Sequence, residues 1–180
     1  LEDEQTEMPH KKKIIMVFVT SILVLLGFLV VNHYFTGHAN KRIAEEAYEA
    51  QDYLECYQLL YGQKLNDNQS AIFHRSEMIL KMDIFWRNYE ESAKDSKWLE
   101  GLDKLTQFVH GYPQLNDYAS QWNCQDIAEN AYNKVQNALM TEYATDVDTV
   151  SEIADLKDDV AYTKALTEII QQKEKRDEIN

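Results

Sequence analysis

The sequence predicts an all-α protein in which one transmembrane helix precedes a stack of about six antiparallel helices. The 180 residues include only five Gly and two Pro, too few for the many tight turns of a β-sandwich or barrel. An uncharged apolar run, Ile14 to Val31, stands apart from the rest of the chain. Beyond it, apolar residues recur at helical spacing as far as Ile170, a pattern that predicts amphipathic helices.

The apolar run is long enough to cross a bilayer. At a rise of about 1.5 Å per residue it covers about 27 Å, and the next four residues extend it to the interface. We therefore expect a transmembrane helix over residues 14–35, after a polar tether at residues 1–13. Since the chain begins with Leu1, we expect it to be a piece of a longer protein. A cleaved signal peptide is the alternative, with Gly37-His38-Ala39 as its cleavage site, but the length of the run favours an anchor.

The distribution of charge predicts orientation and excludes one class of partner. Three lysines, Lys11 to Lys13, directly precede the apolar run, whereas Lys41 and Arg42 follow it at a distance, which favours a cytoplasmic N-terminus. The formal net charge is -13. Because the tether holds four acids and three lysines, nearly all of this charge belongs to the later domain. Such a surface repels phosphate backbones, so we expect no nucleic-acid binding.

The first unit after the anchor is a predicted helical hairpin. Ile43, Ala44, Ala47 and Tyr48 have helical spacing. A second apolar stripe then begins at Tyr53 and ends before Gly62, a residue that commonly follows a helix C-terminus.

This hairpin resembles a tetratricopeptide repeat. Ala44 occupies the small position of the first helix, Asp52-Tyr53 the turn, and Leu60 the bulky position of the second helix, while Cys56 stands where the family usually has Ala. The usual closing proline and a second copy 34 residues further on are missing. The resemblance covers about a fifth of the chain and implies a stack of hairpins that binds other proteins.

Two longer hairpins are predicted to follow. The third helix covers Ala71 to Ala93 after a loop rich in capping residues. Asp95-Ser96 is expected to cap the fourth helix, and His110 to Pro113 to end it, because Gly and Pro are typical of helix ends. A fifth helix is expected from Leu115 to Tyr143.

The sixth helix is predicted to begin at the capping-box pattern Thr149 with Glu152 and to reach Ile170. These elements define an extracytoplasmic helical-repeat domain, residues 39–172, followed by a charged tail, residues 173–180.

Searches for metal and catalytic motifs give weak patterns only. Asp146 and Asp148 have the spacing that opens an EF-hand loop, but Ser151 replaces the required Gly, so helix capping is the better interpretation. His74 and Glu77 share a helix face without a third ligand. We therefore expect no metal site and no cofactor.

One short stretch resembles lytic transglycosylases, helical enzymes in which a Glu before a Ser is the general acid. Glu91-Ser92 and the downstream Ala131-Tyr132-Asn133 carry the resemblance. The Gly-Leu-Met-Gln stretch of that family is missing. The sequence therefore favours a protein that is not an enzyme, with Glu91 as an exposed residue near a helix end.

Two cysteines and many aromatic residues remain. Cys56 and Cys124 fall on apolar positions and are expected to be buried thiols, with a single disulfide as the alternative. Most aromatic residues should pack in the core. Since the first helix of each stacked hairpin lines the concave side, the candidate partner-binding residues are Tyr48, Trp86, Tyr89, Tyr118 and Trp122.

The function that the sequence favours is that of a single-pass membrane scaffold that binds one or more proteins at the membrane surface, in an oligomeric state that the sequence leaves open. Its layout is similar to that of membrane-anchored subunits of Gram-positive envelope and secretion assemblies, such as the type VII secretion subunit with an outward helical domain. The alternatives are the outward sensor domain of a bitopic signalling protein and, last, a cell-wall lytic enzyme.

Overall fold

The computed structural model describes residues 39–178, and their seven helices confirm the all-α class. The first, α1, covers residues 39–49. The others are α2 (Tyr53–Leu60), α3 (Asp67–Lys94), α4 (Trp98–Gln121), α5 (Gln125–Tyr143), α6 (Val147–Ala154) and α7 (Asp159–Asp177). The tether and the predicted transmembrane span, residues 14–35, lie outside the described residues. Between residues 39 and 178, no helix has the length and apolar character needed to span a membrane.

Side chains define where several helices begin. Asp52 caps α2 by accepting a hydrogen bond from the backbone N–H of Glu55 at 3.0 Å. Asn66 and Gln69 form a capping box at the start of α3, so a cap within the polar loop is confirmed but the helix begins at Asp67 and not at the predicted Ala71. Asp158 caps α7. These bonds satisfy backbone donors that have no partner inside the helix.

Three helix connections repeat one backbone geometry. In each, a non-glycine residue has a positive φ and the next residue's N–H donates to a carbonyl five residues earlier. The left-handed residues are Gln51, Ser96 and Asn123, with φ of 63°, 56° and 54°, and the bonds run from Asp52 to Ala47, from Lys97 to Ser92 and from Cys124 to Ala119, at 2.8 to 2.9 Å. The acceptor residue is buried each time. This arrangement satisfies terminal carbonyls and turns the chain in three residues.

The predicted end of the fourth helix at His110 to Pro113 is wrong. Helix α4 continues through Pro113 to Gln121, so the predicted fifth helix is divided and α5 begins only at Gln125. The helix continues because its apolar stripe does. Phe108 is buried before the Gly-Tyr-Pro segment, and Leu115 packs on the same core after it. The contribution of this burial outweighs the backbone hydrogen bond that Pro113 cannot make.

Three further boundaries differ from prediction. Helix α4 begins after Lys97 with no side-chain cap, and Asp95 instead ends α3. The cap of α6 is Asp146, which accepts from the N–H of Thr149 at 2.8 Å, so Thr149 and Glu152 do not form the predicted capping box. The predicted sixth helix is two helices, because the chain turns at residues 155–158 and Asp158 caps a new one. The prediction that the acids Asp146 and Asp148 cap a helix is confirmed for Asp146.

Helix α4 is the centre of the main core. It packs against α3, α5, α6 and α7, and it buries Leu102, Leu105 and Phe108. The contact of α7 with α4 joins elements distant in the chain, and the hydroxyl of Tyr162 on α7 donates to Asp103 on α4. The last helix thus folds back onto the bundle.

A second, smaller core joins α1 and α2 to α3. Ala44, Ala47, Cys56 and Leu60 are buried together, and Ile72 and Phe73 of α3 pack against them. Gly62, with φ of 71°, follows the end of α2 as predicted. Cys56 and Cys124 are both buried free thiols, as expected.

Gly101 allows Tyr143 of α5 to approach α4 closely. A Cβ at this position would lie 2.6 Å from the hydroxyl of Tyr143 on α5 and 3.5 Å from the ring of Tyr89 on α3. Tyr143 is only 1% exposed. The missing side chain of Gly101 is therefore what admits the Tyr143 hydroxyl, whereas the Tyr89 ring lies at an ordinary contact distance.

We predict that Gly101→Ala lowers the free energy of unfolding by about 1–3 kcal/mol, because the added methyl overpacks this contact. Tyr143→Phe in the same chain should recover most of the loss by removing the obstructing hydroxyl. The measurement is thermal and denaturant unfolding of the full chain, followed by circular dichroism.

Gly111, on the same helix, is the matched control. A Cβ there meets nothing within 4 Å, so Gly111→Ala should stabilise the protein by about 0.5–1 kcal/mol through helix propensity alone. Equal destabilisation by both substitutions would refute the close-approach explanation.

Candidate functional site: the groove between α3 and α5

Helices α3 and α5 enclose a groove. It consists of two adjoining cavities of about 560 and 190 Å³ that share Asp83, Trp86 and Lys134. The remaining lining residues are Ile79, Met82, Tyr89, Glu90 and Ala93 from α3 and Asp126, Ile127, Asn130, Ala131, Asn137, Ala138, Thr141 and Glu142 from α5. The larger cavity is within the size range of ligand pockets in proteins.

Trp86 is the main aromatic residue of the groove. Its ring is half-buried and meets Phe85 and Tyr89 edge-on, at centroid distances of 5.2 and 5.7 Å. Across the groove, the Lys134 Nζ lies 5.8 Å from the Trp86 centroid, within the range of a cation–π interaction. The ring is thus held in place by the core and turned towards a cation.

The groove carries more negative than positive charge. Four acids line it, and Lys134 is the basic residue among its lining side chains. Asp126 is paired with Arg75 through two hydrogen bonds, and these bonds hold the pKa of its carboxyl below the usual value. Within residues 39–178, Asp83 and Glu90 make no ion pair. Two carboxylates on the α3 wall are therefore available to a ligand.

The structure brings two of the five predicted partner-binding residues to this groove. Trp86 and Tyr89 line it, although Tyr89 is 6% exposed and serves chiefly as wall. Tyr48 packs instead on the small N-terminal core. Tyr118 and Trp122 belong to a separate cluster around His74. A role in binding remains a prediction for all five residues.

The His74 cluster is a hydrogen-bonded junction between α3 and the end of α4. Tyr118 donates its hydroxyl proton to Glu77 Oε2 at 2.6 Å, and its oxygen lies 2.6 Å from His74 Nδ1. Lys81 pairs with the other oxygen of Glu77 at 2.7 Å, and the indole of Trp122 stacks on the imidazole at 3.6 Å. These contacts lock the two helices together.

Burial and hydrogen bonding have opposite effects on Glu77. Burial raises the pKa of this carboxyl, but the hydrogen bonds from Lys81 and Tyr118 outweigh it, and the net pKa is lowered. Burial and the bond to Glu77 raise the pKa of Tyr118. In the described part of the chain, no group of three or more His, Cys, Asp or Glu is placed to hold a metal ion. The arrangement is suited to a structural junction.

A third cavity, of about 650 Å³, lies between α5, α6 and α7. Its walls include Met140, Ile153 and Ile169 together with the acids Asp146 and Glu168. Ala144, which has a left-handed φ of 53°, stands at its edge. Glu91, the candidate general acid, is exposed near the end of α3 and lines none of the cavities described here.

No protein-family model matches this chain, and no curated protein or solved structure matches it either. The described helices define the class as an all-α domain. Functional assignment therefore depends on the geometry of its surfaces.

Sequence reasoning missed most of the groove. In the sequence, four groove residues have the pattern of ordinary exposed polar positions: Asp83, Glu90, Lys134 and Asn137. Only the pairing of α3 with α5 brings them together. The available signal was amphipathic register, since Asp83, Trp86 and Glu90 recur at helical spacing on one side of α3.

We predict that Glu77→Gln reduces the loss of thermal stability that occurs as the pH is lowered. A carboxyl whose pKa is lowered by folding stabilises the native state above its unfolded pKa of about 4.3, and this contribution is lost as the pH falls through the lower native value. The parent chain should therefore lose more Tm than Glu77→Gln between about pH 5 and pH 3. Thermal melts across this range measure it.

The control is Glu91→Gln, which removes an exposed carboxyl from the same helix. Its loss of Tm between about pH 5 and pH 3 should equal that of the parent chain. If Glu77→Gln retained the full acid-dependent loss of Tm, the proposed stabilisation of the Glu77 carboxylate would be wrong.

Proposed function

We propose that this protein is a membrane-anchored scaffold whose α3–α5 groove holds a segment of a partner protein. The observation that carries the proposal is the groove between α3 and α5; in a stack of hairpins these would be first helices, which line the surface used for extended ligands. The groove offers a fixed aromatic ring and unpaired carboxylates on the α3 wall and amide side chains on the α5 wall. Such a surface suits recognition by contact rather than chemical conversion.

The anchor is the apolar run at residues 14–35, with the N-terminus in the cytoplasm and the helical domain outside it. The length of the run and the lysines before it support this topology. Tethering confines the domain to the membrane surface and raises the effective concentration of partners held there, without any new contact. The protein thus suits a subunit of an envelope or secretion assembly.

The tetratricopeptide-like interpretation applies to the first six helices, with α7 as the closing element. Buried Ala44 and Leu60 support it in the first hairpin, although α3 and α4 are much longer than α1 and α2. Helix α7 covers the apolar side of the bundle with Leu166, Ile169 and Ile170. Stacked repeats require such a final element because their terminal apolar face would otherwise be exposed.

A sensor domain is the second candidate, and the cavity between α5, α6 and α7 is the observation that favours it. Its volume of about 650 Å³ suits a small ligand. Saturating that cavity with a ligand would raise the Tm of the full chain, whereas a scaffold requires no such response. The lytic alternative ranks last because Glu91 is exposed near the end of α3 and lines none of the cavities described above.

The scaffold is tested by photocrosslinking in intact cells. A photoreactive amino acid, p-benzoylphenylalanine, replaces Asn137, an exposed residue of the groove wall, in the full chain. We expect a discrete crosslinked product with another protein, which Trp86→Ala in the same chain reduces by about tenfold, as expected for the loss of an aromatic anchor.

The matched control replaces exposed Lys157, on the α6–α7 turn, with the same photoreactive residue and should give no such product. Lys157→Cys also reports topology, since a membrane-impermeant maleimide added to intact cells should label it if the domain lies outside. Equal crosslinking from both positions, or from neither, would refute the groove as a partner site.

A further inference from the structure

The side chains of the α3–α5 groove restrict which kind of partner segment can bind there. This inference rests on the proposed function. The α3 wall carries Asp83 and Glu90 seven residues apart, or about 10.5 Å along the helix axis. Trp86 lies between them in sequence and on the same side of the groove. A ligand that follows α3 therefore meets a carboxylate, an aromatic ring and a second carboxylate in succession.

The structure already shows a cation at the aromatic position. Lys134 reaches from α5 to within 5.8 Å of the Trp86 ring centroid. Its side chain is exposed and makes no ion pair within residues 39–178, so its position depends on the ring and the general negative charge of the groove. An arginine is a stronger partner for an indole face than a lysine, because its planar guanidinium also stacks and is more weakly hydrated.

We propose that the partner segment is basic and presents arginine or lysine side chains to Asp83 and Glu90, with one cation displacing Lys134 from the Trp86 ring. The net charge of the protein supports this assignment, since a formal charge of -13 attracts cationic segments and repels acidic ones. Hydrogen-bonding side chains on α5, among them Asn130 and Asn137, then contact the backbone or polar side chains of the segment.

The test uses the full chain in nanodiscs of zwitterionic phosphatidylcholine, which does not attract cationic peptides through net lipid charge. The probe is a fluorescein-labelled helical peptide of about 15 residues with two arginines two helical turns apart. A second peptide has glutamine at both positions, and a third has glutamate. Fluorescence anisotropy should show binding of the arginine peptide alone, with an affinity that falls as salt is raised.

Charge variants locate the binding site. Asp83→Asn with Glu90→Gln should weaken binding of the arginine peptide about tenfold or more. The control pair, Glu91→Gln with Glu129→Gln, removes the same charge from exposed positions outside the groove and should leave the affinity unchanged. Lys134→Gln should strengthen binding by freeing the Trp86 ring, whereas Lys157→Gln should not.

Two results of the peptide-binding experiment would overturn the inference. One is equal binding of the arginine and glutamine peptides, or binding of neither. The other is equal weakening by both double substitutions, which would indicate attraction to the whole acidic surface. The photocrosslinking experiment gives a further outcome. If the partner segment crosslinked to position 137 contains no lysine or arginine, the inference of a basic segment is wrong but the scaffold is supported. Failure of groove-dependent crosslinking would instead refute the scaffold.

Discussion

The packing of two tyrosine rings around Gly101 is the constraint on which the described fold depends most. Tyr89 comes from α3 and Tyr143 from α5, and both reach the α4 backbone where it has no side chain. Trp98 contacts Tyr143 at the start of α4, and the buried Lys173 of α7 lies 4.0 Å from the Trp98 ring centroid. Four helices are thus tied together within a short stretch of chain. Because α3 and α5 are fixed here, the space between them is a preformed groove.

The other end of α3 is fixed by polar contacts. Arg75 binds Asp126 at the start of α5, and His74 and Glu77 bind Tyr118 near the end of α4. A charged pair with two parallel bonds sets direction as well as distance. The groove is therefore held by apolar packing at one end and by hydrogen bonds at the other. Preorganisation of this kind lowers the entropy that a partner must lose when it binds.

Local signals in the sequence were sufficient for the fold class and for several boundaries. Asn66 with Gln69, Asp52 and Gly62 act through neighbours in the chain, so their roles can be read from spacing. The Gly-Tyr-Pro segment at residues 111–113 led to the wrong end for the fourth helix. Its local preference is for a helix end, but burial of the residues on either side overrides that preference. Gly101, an isolated glycine within an apolar stripe, was the one available signal of close approach. The α5 wall of the groove could not be predicted, because Trp86 and Lys134 are 48 residues apart in the sequence and no local signal shows that α3 packs beside α5.

The most direct test of this account is the distance between α3 and α5 in solution. Nitroxide labels on Arg87→Cys and Gln136→Cys, exposed positions of the two helices, report it by double electron–electron resonance, while the buried Cys56 and Cys124 stay unlabelled. The account predicts one narrow distance distribution for the full chain in nanodiscs, and a broader one when Gly101→Ala disturbs the tyrosine packing. A broad or two-peaked distribution in the unaltered chain would contradict a groove preformed by that packing.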